Sequence, residues 1–265
     1  MRLSVGSALQ KKRRVAGRPP RRGIPVSPRR VLCYPAGTGD LRKAVEALEQ
    51  RAASLGAPLQ LRGLVPAQKE RLMSGFPGLF EYTQDRDNYD YIHDIESVAT
   101  LSGKKLHGKR NFCNRFEKTH DWAFLPIVPD RFDDCLMLLD EWGQENDGGN
   151  REENLAIRRA LLEWDELGML GGVLYADGKP AGFTIGERIT PDTVDVHFEK
   201  ARGDIPGAYP MVAREFAGMI RAALPGVRFL NREEDMGLEN LLRAKEEWRP
   251  LYLLEKTAAL RRDPA

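Results

Sequence analysis

The chain has 265 residues, of which 30% are charged and 42% are hydrophobic, proportions typical of a water-soluble globular protein with a buried core. Its longest charge-free stretch, around Met169–Ala176, is about ten residues, whereas a membrane-spanning helix needs ~20 apolar residues. The composition therefore predicts no transmembrane segment. Because the N-terminus also lacks the apolar core of a signal peptide, we expect a cytoplasmic protein.

The cysteines are too far apart to suggest a disulfide framework or a zinc site. Cys33, Cys113 and Cys135 are widely spaced, and the four histidines are scattered along the chain. We therefore expect reduced thiols and no metal.

The charge is unevenly distributed. Residues 1–30 contain ten Lys or Arg and no acid, whereas residues 31–265 contain 31 basic and 39 acidic residues. A segment rich in Arg, Pro and Gly predicts a disordered basic arm over residues 1–30, which could contact anionic surfaces. An unstructured N-terminus without a function is the alternative.

Apolar periodicity and capping residues predict alternating helices and strands in the first 168 residues. In chain order they are helix Asp40–Leu55, strand Leu59–Leu64, helix Pro66–Met73, extended chain Leu79–Ile92, helix Glu96–Leu101, helix Lys104–His120, strand Trp122–Val128, and helices Asp130–Glu145 and Arg151–Leu167.

The second part of the chain shows denser strand and turn signals. Asp177-Gly178 favours a hairpin turn, because both residues tolerate positive φ. The predicted order is strands Gly172–Tyr175, Ala181–Gly186 and Thr193–Lys200, helix Tyr209–Leu224, strand Val227–Asn231, helix Leu238–Trp248 and strand Leu251–Lys256. This order resembles that of the GNAT acyltransferase fold.

The helix–strand–helix–strand order after residue 209 repeats the order after residue 40, at an offset of about 168–170 residues. We therefore predict an α/β fold with mixed sheets and tandem GNAT-like lobes. The N-terminal lobe lacks its opening strands and has an exposed sheet edge. The predicted domains are the arm (1–30), the partial lobe with a basic connecting helix (31–120) and the C-terminal lobe (121–265).

A glycine-bearing turn precedes the helix that starts near Tyr209. In Arg202–Ala208, Gly203, Gly207 and Ala208 leave room for close approach, and Arg202 adds a positive charge. Backbone N–H groups at a helix start bind anions such as phosphate. The alternative is a plain tight turn.

Asp195, His197 and Glu199 alternate along one predicted strand, so we expect them on one face. Such a row can orient an amine and accept its proton, with Glu199 or His197 as candidate catalytic groups. A half-solvated sheet face would show the same alternation.

Charged residues follow the next strand, where α/β sheets usually bind ligands. Glu233 is a further candidate catalytic group. A carboxylate pair at this place could bind an ammonium group, and Arg232 could bind a carboxylate or phosphate. Asn231 and Asp235 complete the candidate site, although Asp235 could simply cap the next helix.

Lys104–Lys118 holds six basic residues and one acid. Lys105, Lys109 and Arg110 are candidates for contacting a phosphate-bearing ligand, such as the acceptor end of a tRNA or a nucleotide. A solvated surface helix is the alternative.

Four stretches together resemble the phosphatidylglycerol lysyltransferase C-terminal domain family, in particular its soluble members of unassigned function: Asp85–Asp94, Leu101–Phe116, Gly207–Tyr209 and Phe229–Gly237. The resemblance covers about residues 33–257 and implies a tandem GNAT fold. It also implies transfer of an acyl group, in better-known relatives an aminoacyl group from aminoacyl-tRNA, to an amine or hydroxyl. It implies site roles for Asn231, Arg232, Glu233 and Asp235.

These observations predict an acyltransferase with no tightly bound cofactor, whose donor is aminoacyl-tRNA. Its acceptor would be a small molecule or a peptide. Because the sequence shows no activated Ser or Cys, we expect direct attack on the donor. The alternatives are an acyl-CoA-dependent N-acyltransferase and a non-catalytic module that binds an amino acid or an RNA end.

Overall fold

The computed structural model describes residues 31–145 and 151–262, which form two compact units built from alternating segments of the chain. The larger unit contains Tyr91–Glu233 and Asn240–Tyr252. Of the described residues, the smaller unit contains 31–90, Glu234–Glu239 and 253–262. The predicted boundary between residues 120 and 121 falls inside the larger unit, since strands from both sides of it share one sheet. The predicted arm, residues 1–30, lies outside the described residues.

The elements largely follow the sequence pattern. In chain order they are β1 (Val31–Cys33), α1 (Leu41–Ser54), β2 (Gln60–Leu64), α2 (Pro66–Gly75), β3 (Phe80–Gln84), β4 (Asp90–Asp94), α3 (Ile95–Thr100), α4 (His107–Thr119), β5 (Trp122–Pro126), α5 (Phe132–Glu145), α6 (Arg151–Leu162), α7 (Trp164–Leu167), β6 (Met169–Ala176), β7 (Lys179–Thr190), β8 (Thr193–Ala201), α8 (Ala208–Ala223), β9 (Phe229–Asn231), α9 (Glu239–Glu246), β10 (Tyr252–Leu254) and β11 (Thr257–Arg261).

The smaller unit has a four-stranded sheet in the order β1-β2-β11-β3. β1 and β2 are parallel and connected through α1, whereas β11 is antiparallel to both β2 and β3. Val45, Leu61 and Leu72 are fully buried in its core. The short strand β1, which the sequence pattern did not indicate, is one edge of this sheet. We had expected an exposed edge where the opening strands of this lobe are missing.

The larger unit has a seven-stranded sheet in the order β10-β4-β9-β8-β7-β6-β5. β8 and β9 are parallel, and the strands from β5 to β8 are antiparallel. Two hydrophobic clusters pack against it: one includes side chains of α3, α4 and α8, and the other includes side chains of α5 and α6. The mixed α/β class is therefore confirmed.

Two predicted segments are interrupted. The extended chain Leu79–Ile92 is divided into β3 and β4, in different sheets, by a 3₁₀ turn at Arg86–Asn88, whose Asp87 N–H donates to the Asp85 carboxylate. The helix predicted over Arg151–Leu167 breaks between α6 and α7. Within the described part of the chain, no helix combines the length and the apolar character needed to cross a membrane.

Candidate functional site

The carboxyl ends of β8 and β9 form the framework of the candidate site. The two strands pair only from Thr193–Asp195 to Phe229–Asn231, whereas β8 continues to Ala201. In open α/β sheets, ligands bind at the carboxyl ends of parallel strands. Polar side chains of both strands gather at this place.

An extra residue in β8 interrupts its alternation. Ile185 and Gly186 are consecutive in β7, but they pair with Phe198 and Val196, so His197 forms a β-bulge. As a result, Val196 and Phe198 belong to different hydrophobic clusters. The bulge thus interrupts the regular alternation that we assumed for Asp195, His197 and Glu199, although Asp195 and His197 stay within 4.8 Å of each other.

His197 lies between two carboxylates. Its Nδ1 is 2.9 Å from Glu233 Oε1 and its Nε2 is 3.2 Å from Glu187 Oε1. Asp195, His197 and Glu233 bring one ligand-type atom each within 4.8 Å of one another. Burial disfavours the charge of His197, but the hydrogen bonds to Glu187 and Glu233 and the charge of Asp195 outweigh it and raise its pKa to about 10.

His197 is therefore an imidazolium at neutral pH, and both its ring nitrogens donate hydrogen bonds. It cannot act as the predicted proton acceptor in this state. A metal ion bound by Asp195, His197 and Glu233 would have to displace that proton. The sequence pattern did not single out Glu187, which is found only through its pairing with Asp195 across the β7–β8 ladder.

Arg232 is fixed by several contacts. Its Nη2 donates to Glu199 Oε1 at 2.7 Å, and its guanidinium carbon lies 5.1 Å from the centre of a Trp248 ring. The Arg232 backbone carbonyl accepts from Lys245 Nζ at 2.5 Å. The Arg232 Nη1 atom is buried and has no hydrogen-bond partner among the described residues. Since buried donors are normally paired, this N–H is suited to an oxygen of a ligand.

A buried histidine lies near this arginine. His93, in β4, is 1% exposed. Burial and the charge of Arg232 lower the pKa of His93 to about 3, so that it stays neutral. The sequence analysis did not single out His93 within the family-like stretch Asp85–Asp94, because its proximity to Arg232 depends on the pairing of β4 with β9.

The turn after β9 positions Glu233. The backbone N–H of Glu233 donates to Asn231 Oδ1 at 2.9 Å, and Glu233 has φ +54°. A non-glycine residue in this left-handed conformation is uncommon and often occurs at functional sites. Asn231, which is 4% exposed, thus shapes the turn rather than offering a free side chain to a ligand.

In the smaller unit, Asp235 is fully buried and bonded within the protein. Its Oδ2 accepts from Arg86 Nη1 at 2.8 Å, and its Oδ1 accepts from the Gly237 N–H at 2.8 Å. Asp235 thus stabilises a turn that ends before α9 begins at Glu239, so these contacts support neither the capping of that helix nor the predicted role in ligand binding. Glu234 is likewise paired, with Lys256 Nζ at 3.0 Å.

The turn Arg202–Ala208 differs from the predicted anion site. Arg202 pairs with Glu141 at 2.8 Å and with Asp204 at 3.2 Å, which neutralise its charge. The Ala208 N–H donates to the Ile205 carbonyl at 3.1 Å, and Ala208 is 1% exposed. The ion pairs of Arg202 reduce the positive charge that the turn can offer to an anion, and the bonded, buried N–H of Ala208 is one donor fewer. Gly203 has open space around its Cβ position.

Gly207 is needed for packing. It has φ +96° as the N-cap of α8, and a Cβ at this position would lie 2.7 Å from the Phe112 carbonyl oxygen in α4. α4 therefore packs directly on the start of α8.

The basic residues predicted at the start of α4 have different surroundings. Lys109 pairs with Glu247 at 2.8 Å, and Arg110 Nη1 donates to the carbonyls of Leu101 and Gly103. These two residues stabilise the protein's own fold. Lys105 is exposed and precedes α4, which begins at His107 rather than at Lys104.

The two buried cysteines are not activated. Burial raises the pKa of Cys113 to about 11 and that of Cys135 to about 12, which suppresses the thiolate.

Together, the two mixed sheets and the polar site at the ends of the parallel strands define an α/β protein with mixed sheets. The chain belongs to the family described as phosphatidylglycerol lysyltransferase, C-terminal, whose model matches residues 27–259. The resemblance seen in the sequence is thus confirmed.

Solved structures agree with this assignment. A conserved protein of unknown function from Bacteroides thetaiotaomicron is 37% identical, with a TM-score of 0.81, covering 88% of this chain and 79% of that chain. L-PGS from Bacillus licheniformis is 17% identical, with a TM-score of 0.62, over 89% of this chain and 78% of that chain. FemX is 9% identical, with a TM-score of 0.60, over 86% and 79%. The last two show the fold alone, and no curated protein matches the chain.

Proposed function

We propose that the protein is an acyltransferase that transfers an aminoacyl group from aminoacyl-tRNA to an amine or hydroxyl acceptor. Family membership and the likeness to L-PGS and FemX support an acyltransferase of the aminoacyl type. The observation that carries the proposal is the unpaired Nη1 donor of Arg232 beside an excess of carboxylates.

The carboxylates favour an acyl group that bears an ammonium. Glu187 and Glu233 both accept a hydrogen bond from the His197 imidazolium, so these three side chains together carry one net negative charge at neutral pH. An aminoacyl group supplies a compensating α-ammonium, whereas an acetyl group does not. His197 then serves as a fixed cation that orients Glu233, instead of the base that the sequence predicted.

In the proposed reaction, the acceptor nitrogen or oxygen attacks the carbonyl carbon of the aminoacyl ester. The bond between that carbon and the ribose oxygen breaks, and a new amide or ester bond forms. Arg232 Nη1 donates to the carbonyl oxygen as negative charge develops on it. Glu199 accepts the acceptor's proton, which ends on the released ribose hydroxyl.

An acyl-CoA donor is less well supported. Its pyrophosphate would need the turn Arg202–Ala208, but Arg202 is neutralised by Glu141 and Asp204. We therefore rank aminoacyl-tRNA above acyl-CoA as the donor.

The test is to incubate the purified protein with aminoacyl-tRNA and a panel of amines and alcohols, and to identify products by mass spectrometry. In Arg232→Gln and Glu199→Gln we expect the rate of transfer to fall roughly 10²–10³-fold, because a charge-stabilising donor or the proton acceptor is lost. The matched controls are Arg159→Gln and Glu163→Gln, each of which removes one partner of an exposed ion pair at the end of α6. Transfer retained in Arg232→Gln, or consumption of acetyl-CoA in place of aminoacyl-tRNA, would contradict the proposal. Binding without any loss of the ester would indicate the non-catalytic module.

A further inference from the structure

A tyrosine hydroxyl lies at the carboxyl end of β8, beside the candidate site. Tyr209 is in the first turn of α8, and its oxygen accepts a hydrogen bond from Trp142 Nε1 at 3.2 Å. The backbone N–H of Ala201, the last residue of β8, is directed at the same oxygen. Because the Arg202 N–H donates to the Ala181 carbonyl in β7, the Ala201 N–H points to the other side of β8, where β9 no longer pairs with it.

The surroundings of this phenol fix its orientation and its protonation state. Trp142, which donates to it, is itself held against Lys200, whose Nζ lies 3.7 Å from the centre of a Trp142 ring. Burial raises the pKa of Tyr209, and the negative charge of Glu199 raises it further, against the opposite effect of the two N–H groups. Tyr209 therefore keeps its proton at neutral pH, and its O–H points away from the two N–H groups that face the oxygen. The residue is 38% exposed, so a substrate can reach this hydroxyl.

We propose that Tyr209 donates its proton to the oxygen that leaves the aminoacyl ester. The inference rests on the proposed function, in which Glu199 takes a proton from the acceptor and the released ribose oxygen needs one. As the bond between the carbonyl carbon and the ribose oxygen breaks, its electron pair stays on that oxygen, which takes the proton of Tyr209. The phenolate then takes the proton that Glu199 received from the acceptor. Both side chains return to their starting states, and one proton has moved from the acceptor to the ribose hydroxyl.

The other charged groups of the site are less suited to this step. An alkoxide is a stronger base than a phenolate, so the transfer from Tyr209 is favourable once the ester bond breaks. The guanidinium of Arg232 stays charged in proteins and offers hydrogen bonds instead of a proton. His197 is protonated, but its two ring N–H groups already donate to Glu187 and Glu233. The geometry therefore favours the phenol as the acid.

Two donors that differ in one atom test the step. Aminoacyl-tRNA releases a ribose alcohol, which needs a proton, whereas its analogue with sulfur in place of that ester oxygen releases a thiolate, which does not. In Tyr209→Phe we expect the kcat to fall roughly 10²-fold with the oxygen ester and less than about threefold with the sulfur analogue. Tyr252→Phe, at an exposed tyrosine of β10, is the matched control and should change neither kcat. Because misfolding lowers both values alike, the ratio of the two losses reports the proton transfer.

The outcomes separate the role of Tyr209 from the proposed function. If the unaltered protein uses aminoacyl-tRNA and Tyr209→Phe loses nothing, or loses equally with the two donors, the role of Tyr209 is refuted and the function stands. If the unaltered protein ignores aminoacyl-tRNA but transfers acyl groups from other oxygen esters and from thioesters, and Tyr209→Phe slows only the oxygen esters, the role stands and the function is refuted. If no ester or thioester is used, both are refuted.

Discussion

At the scale of single residues, the site is governed by a positive charge enclosed by negative ones. The His197 side chain is only 3% exposed, yet its two hydrogen bonds to carboxylates keep it protonated. Without that charge, Glu187 and Glu233 would face each other across a neutral ring, and no positive charge would balance their two negative charges. The same contacts that remove His197 as a base thus fix the carboxylate that we assign to the aminoacyl ammonium.

This arrangement predicts a loss of stability in alkali. Because the pKa of His197 is raised from 6.5 to about 10 by folding, its contribution is fully present below pH 6.5 and is lost as the pH rises through 10. Between pH 7 and pH 10, the free energy of unfolding of the unaltered protein should fall on the order of 3 kcal/mol more than that of His197→Gln. Urea denaturation at both pH values measures this difference. Parallel decreases in the two proteins would show that His197 is not protonated in the folded state.

The residues of the site were partly predictable from the sequence. Glu199, Arg232 and Glu233 follow from their position at the ends of adjacent strands, and the structure brings them together with His197. Glu187 depends on the register of β7 with β8, which includes the bulge.

Ion pairs between residues that are far apart in the sequence also limit what can be predicted from a sequence pattern. A sequence pattern shows that Lys109 is basic, but not that Glu247, 138 positions away, neutralises it. The sequence therefore could not show that Lys109 stabilises the fold instead of being free to bind a ligand.

At the scale of elements, the contact between α4 and α8 depends on one glycine. Gly207 combines φ +96° with a backbone oxygen 2.7 Å from its Cβ position, so a side chain meets both conformational strain and a backbone that cannot move aside easily.

Gly207→Ala should therefore reduce the free energy of unfolding by roughly 2–4 kcal/mol. Gly203→Ala, in the same turn but with open space around its Cβ position, is the matched control and should change it by less than about 0.5 kcal/mol. Chemical denaturation of both variants gives the comparison. Similar stabilities for the two would show that α4 is not packed against the start of α8.

Helices and strands of ordinary length were predictable, because their apolar spacing is a local property. α1 and α8, with capping residues and regular buried positions, lie close to their predicted bounds. β1 has only three residues, too few to show a period, and β11 follows β10 after a short break that the pattern did not reveal.

At the scale of the whole molecule, the two sheets repeat one strand order. The order β1-β2-β11-β3 in the smaller unit corresponds to β8-β9-β4-β10 in the larger unit. In each, a parallel strand pair is connected by a helix, and the third strand comes from a distant part of the chain. β4 follows the elements of the smaller unit in sequence, and β11 follows those of the larger unit. Our sequence analysis assigned consecutive residues to consecutive domains, so it could not detect that each unit takes a strand from the other part of the chain. For this reason it placed a domain boundary at residue 120.

The smaller unit should therefore depend on the last strand of the chain. β11 is hydrogen-bonded to β2 on one side and β3 on the other, and its Ala259 is fully buried. Ending the chain after Lys256 should expose both neighbours and raise amide hydrogen exchange throughout β2 and β3 to nearly that of unfolded chain. Ending it after Arg262 keeps β11 and should leave exchange unchanged.

Within the full chain, Ala259→Asp buries a charge and should raise exchange in β2 and β3 as the truncation after Lys256 does. Ala258→Asp, on the opposite face of β11, should be tolerated. Slow exchange in β2 and β3 after removal of β11 would show that the strand is not the centre of this sheet.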